Sequence, residues 1–193
     1  MMTDAEPPLP DRFGDLSLNE AAALLGAQQR PPVERWNPPD CGTSHIEIRA
    51  DGSWWHQGGI IGRPSLVRLF ASIMKREPDG TYVLVTPHEK QRVTVEDLPF
   101  RAVEMLSEGE GAARRLVFRL DTGELVAADA DHPLRFTDGD EPRPALHVRG
   151  TIGNGLEARL SRALYYEIVD MALAEGDEPP AIWSGGARFV LAA

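Results

Sequence analysis

Cysteine is almost absent from this sequence: Cys41 stands alone among 193 residues. A single cysteine excludes an intrachain disulfide and a cysteine-rich zinc site. Long apolar runs are also missing, since no stretch approaches the roughly 18 residues that a membrane-spanning helix needs. The opening MMTDAEPPLPD lacks the basic and apolar regions of a secretory signal. We therefore expect a cytoplasmic protein.

Basic residues are scarce relative to acidic ones. The chain carries 20 Lys and Arg against 30 Asp and Glu, for a formal net charge of −10. A protein that binds a nucleic-acid polymer normally presents a basic face, so we expect no such partner. An acidic surface also disfavours contact with anionic membranes. A small anionic ligand stays compatible with this charge, because one pocket can be basic on an acidic protein. The sequence does not identify a protein partner.

The familiar motifs of catalysis and cofactor binding are missing as well. The chain has no GxSxG, no GxxxxGK[ST] and no GxGxxG after a strand. Its histidines are scattered and form no HExxH, and they stand at His45, His56, His88, His132 and His147. We therefore assign no catalytic residue, no metal ligand and no cofactor, although an unfamiliar enzyme is not excluded.

Local signals are clear in two segments. SLNEAAALL predicts a short helix, with Ser17 as N-cap and Glu20 completing a capping box. HIEIRADGSWWHQ predicts a hairpin with a two-residue turn at Asp51-Gly52. That turn pairs Ile48 with Trp55 and places Trp55 on the core face. The other face would then be polar and aromatic, with Glu47, Arg49, Trp54 and His56.

Two later segments resemble each other. GRPSLVRLFASI and ARLSRALYYEIV both follow a strand and a glycine-rich turn and both predict an apolar helix. Their alignment places Arg63 over Arg159. Chance similarity of two αβ units is the alternative, but an internal duplication is the better explanation. We predict an α+β fold of two small related halves, with a loose tail over 1–16 and domains over 17–98 and 99–193.

Four strings carry a family resemblance: DGSWWHQGGIIGRPSLVRLFASI, YVLVTPHEKQRVTVEDLPF, DHPLRF and HVRGTIGNGLEARLSRALYYEIV. Over roughly residues 17–193 the chain resembles a bacterial family known as domain of unknown function 1285. The resemblance implies an α+β fold made by domain duplication, with a second domain superficially similar to a pleckstrin-homology-type barrel. It also implies a groove between the domains for a small, nucleotide-like ligand and a signalling role. It implies no activity.

The leading site hypothesis rests on Arg63, which precedes Pro64 at a glycine-led helix start. Backbone N–H groups at such a start favour an anion, and a cation beside them would complete the site. The structural alternative is an ion pair with Glu89, Glu96 or Asp97. We predict a non-catalytic ligand-binding or signalling protein whose small anionic ligand meets Arg63, Arg159, Lys90, Glu89, His56, Trp55 and Trp183.

Two other hypotheses remain open. In TPHEK, either His88 or Glu89 could act as the general base of a hydrolase-like enzyme, with Lys90 clamping an anion. An ordinary charged surface turn explains the same residues. The third hypothesis is a purely structural interaction module, in which the arginines only tie the two halves together.

Overall fold

The computed structural model describes residues 13–137 and 142–191. Its α-helices are α1 (Leu18–Ala27), α2 (Pro64–Ser72) and α3 (Arg162–Glu175). Short 3₁₀ helices span Phe13–Asp15, Val33–Arg35 and Gly111–Ala113. The strands are β1 (Asp40–Ile48), β2 (Trp54–His56), β3 (Gly59–Ile60), β4 (Met74–Arg76), β5 (Tyr82–Val85), β6 (Lys90–Val95), β7 (Phe100–Glu108), β8 (Arg115–Leu120), β9 (Leu125–Ala127), β10 (Leu134–Arg135), β11 (Ala145–Arg149), β12 (Leu156–Leu160), β13 (Ala181–Ser184) and β14 (Ala187–Val190).

Two six-stranded sheets share one topology. Sheet A has the order β3-β2-β1-β6-β5-β4, and sheet B has the order β9-β8-β7-β12-β11-β10. In each sheet the first and the last strand pair in parallel at the centre, and the other neighbours are antiparallel. One of the sheets is curled into a half-barrel. The predicted α+β fold of two related halves is therefore confirmed.

The helices do not follow this duplication. Helix α2 lies between the third and fourth strands of sheet A, whereas α3 follows the sixth strand of sheet B. Arg63 is the N-cap of α2, but Arg159 lies inside β12. The sixth strands end at Val95 and Leu160, so Thr94 is the counterpart of Arg159. The prediction that the two arginines occupy matching positions is wrong.

The segment LEARL is a strand because its side chains alternate in burial. Leu156, Ala158 and Leu160 are buried, while Glu157 and Arg159 lie on the other face. Helix α3 begins only after Ser161, whose Oγ accepts a hydrogen bond from the backbone of Leu164 at 3.3 Å. The glycine-led helix start expected before Arg159 is thus a strand.

The first hairpin has a register one residue away from the predicted one. Ile48 pairs with Trp54, and the turn takes three residues, ending at Gly52 with φ of +88°. A slip of one residue exchanges the faces of a strand. Trp54 is therefore in the core, and Trp55 lies on the outer face with the Arg49 guanidinium 3.7 Å from its ring centroid.

A single apolar core runs through both halves. Its members from the first half include Ile46, Ile48, Trp54, Met74 and Val93. Its members from the second half include Phe100, Leu116, Phe118, Leu146, Leu156, Leu160 and Ile168. The two halves thus share one apolar core and do not form two separately packed domains.

The N-terminal segment packs on the second half, although the sequence assigns it to a tail and to the first domain. Phe13 is 1% exposed and joins a separate apolar cluster with Ala21, Val117 and Leu125. Residues 13–16 are therefore not a loose tail, and the part of the predicted tail before Phe13 lies outside the described residues. The predicted capping box of α1 is confirmed, with Ser17 and Glu20 bonded reciprocally.

The hairpin register predicts unequal losses of stability for two adjacent tryptophans. Trp54→Ala should lower the free energy of unfolding by about 3–5 kcal/mol, because it leaves a cavity in the core. Trp55→Ala should lower it by no more than about 1–2 kcal/mol, because it removes a cation–π contact with Arg49 and a hydrogen bond to Ser53 on the outer face. Chemical denaturation of both variants measures the difference. Equal losses, or a larger loss for Trp55→Ala, would contradict this register.

Candidate functional site

Arg159 is engaged by protein groups on every side of its guanidinium. Its Nε and Nη2 donate to the two carboxylate oxygens of Asp97 at 2.9 and 2.7 Å. Its Nη1 donates to the carbonyl oxygens of Arg143 and Pro144 at 2.6 and 3.2 Å. Hydrogen bonds from Arg159 hold the pKa of Asp97 below its usual range. Arg159 is thus a structural tie, with Asp97 as the carboxylate that the sequence named as one alternative for Arg63.

Arg63 lies at the start of α2, as the sequence predicts. Its side chain is exposed and makes no cap hydrogen bond. Pro64 occupies the first helical turn. Among the described residues, no hydrogen bond or ion pair joins Arg63 to Arg159 or to a carboxylate. The two arginines are not brought together by a shared contact.

The TPHEK segment forms a surface turn. The backbone N–H of Thr86 donates to the carbonyl of Glu89 at 2.9 Å, and the Thr86 hydroxyl accepts from His88 and Glu89. The side chains of His88 and Glu89 are exposed. Lys90 opens β6 and donates to Glu77 Oε2 at 3.2 Å. This geometry is that of a charged turn.

The predicted aromatic contacts lie on three separate surfaces. Trp55 is half-buried beneath Arg49, and His56 is exposed at the end of β2. Trp183 belongs to the two-stranded sheet β13-β14, where its Nε1 donates to Asp177 at 3.4 Å. No described contact joins these side chains to one another or to Lys90.

A different charged cluster lies where the N-terminal segment meets both halves. Glu124, in the turn between β8 and β9, is shared by two arginines: Oε1 is 2.6 Å from Arg30 Nη2, and Oε2 is 3.8 Å from Arg149 Nη1. Arg149 also donates from Nη2 to the carbonyl oxygen of Ala71, in α2. The cluster therefore links the N-terminal segment, the second half and the first half.

Arg149 is buried and only partly satisfied. Its side chain is 11% exposed, and its Nε and Nη1 have no hydrogen-bond partner in the described protein. Burial lowers the pKa of this guanidinium from its ordinary value, and Glu124 acts against that shift. Buried donors without partners are costly, so the arrangement favours an additional acceptor nearby.

A cleft of about 380 Å³ adjoins this cluster through Arg30. One wall comes from the N-terminal segment, with Leu25, Gln28 and Arg30. The other wall comes from the second half, with Leu125, Val126, Ala127, Asp129 and His132. The volume lies within the range of small-molecule sites, roughly 300–1,000 Å³. This cleft lies between the N-terminal segment and sheet B, beside the junction of the halves.

Asp129 and His132 form a turn at one end of the cleft. Asp129 Oδ1 accepts from the backbone of Asp131 at 2.9 Å, from the backbone of His132 at 2.8 Å, and lies 3.2 Å from His132 Nδ1. The His132 ring is 6.4 Å from that of His147, whose pKa is lowered by burial. No three His, Cys, Asp or Glu side chains converge as metal ligands within 13–137 and 142–191.

Sequence reasoning missed this cluster because its members are far apart in the chain. Arg30 and Glu124 meet only after α1 has packed on β9, and no local pattern encodes that contact. Arg149 is the last residue of β11, and in the sequence it stands out only as one polar residue at the end of an apolar strand. The DHPLRF string marked His132, but it gave no sign of the cleft.

Two family models match the chain in succession. The N-terminal domain of DUF1285 covers residues 31–98, and the C-terminal domain covers residues 99–191. The chain belongs to the DUF1285 family. Both DUF1285 domains carry the description "unknown function". Gln28 and Arg30, on the N-terminal wall of the cleft, precede the matched ranges.

Two solved structures of DUF1285 family proteins are similar to this chain. A DUF1285 protein from Silicibacter pomeroyi DSS-3 is 38% identical, with a TM-score of 0.77 over 90% of this chain and 93% of that one. A second, from Shewanella baltica OS155, is 29% identical, with a TM-score of 0.52 over 69% of this chain and 98% of that one. Among curated proteins, none matches significantly. Every helix in the described part of the chain is too short or too polar to cross a membrane.

The tie between Arg159 and Asp97 predicts a measurable coupling energy. In a double-mutant cycle with Arg159→Met and Asp97→Asn, the interaction should contribute roughly 1–3 kcal/mol to the free energy of unfolding at pH 7. Because the pKa of Asp97 is lowered, the coupling should be complete above the ordinary Asp pKa and should disappear as the pH falls through the folded-state value. A coupling energy of zero at pH 7 would show that the ion pair of Arg159 and Asp97 does not stabilise the fold.

Proposed function

We propose that this DUF1285 protein is a non-catalytic binder of a small anionic ligand, and that the anion lies beside Arg30 in the cleft between the N-terminal segment and sheet B. The observation that carries the proposal is the sharing of Glu124 by Arg30 and Arg149. One carboxylate cannot neutralise two guanidinium groups. The cluster keeps one positive charge in excess, in a chain whose net charge is −10.

Neighbouring charges reduce this excess only in part. Glu34 also stabilises the charge of Arg149, but it lies 4.0 Å from Lys75, and Glu77 is shared between Lys75 and Lys90 at 3.6 and 3.2 Å. Asp129 also lines the cleft, and hydrogen bonds from the backbone of Asp131 and His132 occupy its Oδ1. An incoming carboxylate or phosphate would therefore find Arg30 as its cationic partner, and Arg binds such groups with charge-assisted hydrogen bonds.

The cleft favours binding over catalysis. Its eight lining residues include no Ser, Thr, Cys or Lys, and its Asp129 and His132 contact each other at 3.2 Å within one turn. His88 and Glu89, the residues of the hydrolase-like alternative, lie on an exposed turn where nothing described excludes water or orients a base. Among the apolar residues that line the cleft, the half-buried Leu25 offers a wall for the uncharged part of a ligand.

A signalling role follows from the same contacts. An anion bonded to Arg30 would compete with Glu124 Oε1 and leave that carboxylate to Arg149, whose Nη1 is now 3.8 Å away. Arg149 is bonded to Ala71 in the first half. Ligand binding would thus change the contact between the second half and α2, and a partner that senses α2 would register it.

Calorimetry with Arg30→Gln tests the proposed site. Wild-type protein should bind inorganic phosphate and acetate, and the variant should bind each roughly 10- to 100-fold more weakly, because hydrogen bonds to charged groups contribute about 1.5–3 kcal/mol. Arg63→Gln is the matched control: it removes an exposed arginine from the helix start first suspected, and binding should be unchanged. Absence of anion binding to wild type, or equal weakening in both variants, would overturn the proposal.

A further inference from the structure

The segment over residues 52–76 contains no aspartate or glutamate, in a chain that has 30 of them among 193 residues. No other run in the sequence is as long without an acidic residue. Its cations are Arg63, Arg68, Lys75 and Arg76. Lys75 lies near two glutamates, and Arg76 stacks over Tyr82. The guanidinium groups of Arg63 and Arg68 have no hydrogen-bond or ion-pair partner among the described residues.

Helix α2 presents one of these free arginines beside an exposed leucine. Ser65, Arg68, Leu69 and Ser72 follow one another at the i, i+3, i+4, i+7 spacing of a single helix face, which we call the α2 face. Leu69 is 55% exposed, and Arg68 is exposed as well. The opposite side of the helix packs into the apolar core through Val67 and Ala71, so α2 cannot rotate to bury Leu69 without emptying that contact.

The charge of the α2 face separates it from the other exposed helix. On α3, Tyr166 and Leu173 are 58% and 60% exposed, but Glu167 and Asp170 lie exposed beside them. Exposed apolar side chains are thus common to both helices, whereas only α2 combines them with uncompensated positive charge. In a chain with a net charge of −10, this is a place that an acidic partner can approach without repulsion.

We propose that the α2 face binds an acidic amphipathic segment of a protein partner. In this complex a carboxylate of the partner pairs with Arg68, and an apolar side chain of the partner covers Leu69. A small carboxylate alone gains little at this position, because an exposed ion pair is weak in water. A segment that carries both groups also removes the apolar surface of Leu69 from water.

An anionic membrane suits this face less well. Polybasic segments that bind anionic lipids carry about 4–8 Lys and Arg residues, whereas the free cations here are Arg63 and Arg68. The docking itself needs no anion in the cleft, so it goes beyond the function proposed for Arg30. Only its link to signalling rests on that function: Arg149 donates to the Ala71 carbonyl of the same helix, and a change at Arg149 would reach the docked partner.

Nuclear magnetic resonance on the isotope-labelled full chain tests the docking with three synthetic peptides. The probe repeats the unit Glu-Glu-Leu-Leu. One control peptide has Ser in place of each Leu, and the other has Lys in place of each Glu. Wild-type protein should bind the probe, with amide shifts concentrated at residues 65–72, and should bind neither control peptide. Absence of probe binding, or equal binding of the lysine peptide, would overturn the proposal.

Matched variants locate the binding surface. Arg68→Gln should weaken probe binding about 2- to 5-fold, as expected for an exposed ion pair. Leu69→Ser should weaken it about 5-fold or more, because an apolar side chain is no longer buried. Arg162→Gln and Leu173→Ser make the same changes at exposed positions of α3 and should bind like wild type. Equal losses in the α2 and α3 variants would contradict docking on α2.

Two further measurements separate this proposal from its alternatives. Sedimentation with phosphatidylcholine–phosphatidylserine vesicles should leave wild-type protein in the supernatant. Vesicle binding that is lost in Arg68→Gln, without peptide binding, would assign the face to anionic lipid and overturn the proposal. Arg30→Gln should bind the probe peptide like wild type, whatever its effect on small anions. Loss of peptide binding in Arg30→Gln would place the peptide in the cleft and refute docking on α2.

Discussion

One carboxylate between two arginines is the interaction on which the junction of this protein depends. Glu124 Oε1 lies 2.6 Å from Arg30 Nη2, and Glu124 Oε2 lies 3.8 Å from Arg149 Nη1. Two buried nitrogens of Arg149 have no hydrogen-bond partner among the described residues. The N-terminal segment, sheet B and α2 all meet through these contacts. A buried guanidinium without a counter-charge destabilises the fold. The position of Glu124 therefore also determines where an anion can bind.

The duplicated sheets explain why this junction exists. Each half closes its sheet by pairing its first strand with its last in parallel, and each leaves short antiparallel strands at the edges. The halves then share one apolar core. The edge strand β9 remains open on its outer side, and α1 covers part of it. The cleft is what the N-terminal segment leaves uncovered on that edge, with Arg30 and Ala127 among its lining residues.

Local sequence signals predicted much of this fold. The capping box at Ser17 and the helix start at Pro64 appear as expected, and the HIEIRADGSWWHQ segment forms the expected hairpin. The errors have physical causes. LEARL alternates strictly and is a strand, but its position before a long apolar helix favoured a helical assignment. The turn at Asp51-Gly52 has three residues, one more than an Asp-Gly dipeptide favours. The additional residue shifts the register by one, so Trp54 lies on the core face and Trp55 on the outer face.

The site was less predictable than the fold. Arg63 and Arg159 do not occupy matching positions, because the two halves share their order of strands but carry their helices after different strands. Arg159 is held by Asp97, a structural role that the sequence listed as one of its alternatives. The charged cluster consists of residues separated by up to about half the chain, namely Arg30, Glu124 and Arg149. No periodicity or spacing in the sequence predicts contacts over such separations. Packing of α1 on β9 had to be known first.

The most direct measurement is the thermal unfolding of Glu124→Gln at increasing concentrations of inorganic phosphate. With Glu124 neutralised, Arg30 and Arg149 lose the carboxylate that they share, so the variant should unfold at a lower temperature than wild type and recover more steeply with phosphate. Adding Arg30→Gln should restore part of the lost stability, because it removes one of the two charges. An unchanged unfolding temperature, with wild-type and variant responding alike to phosphate, would contradict the account.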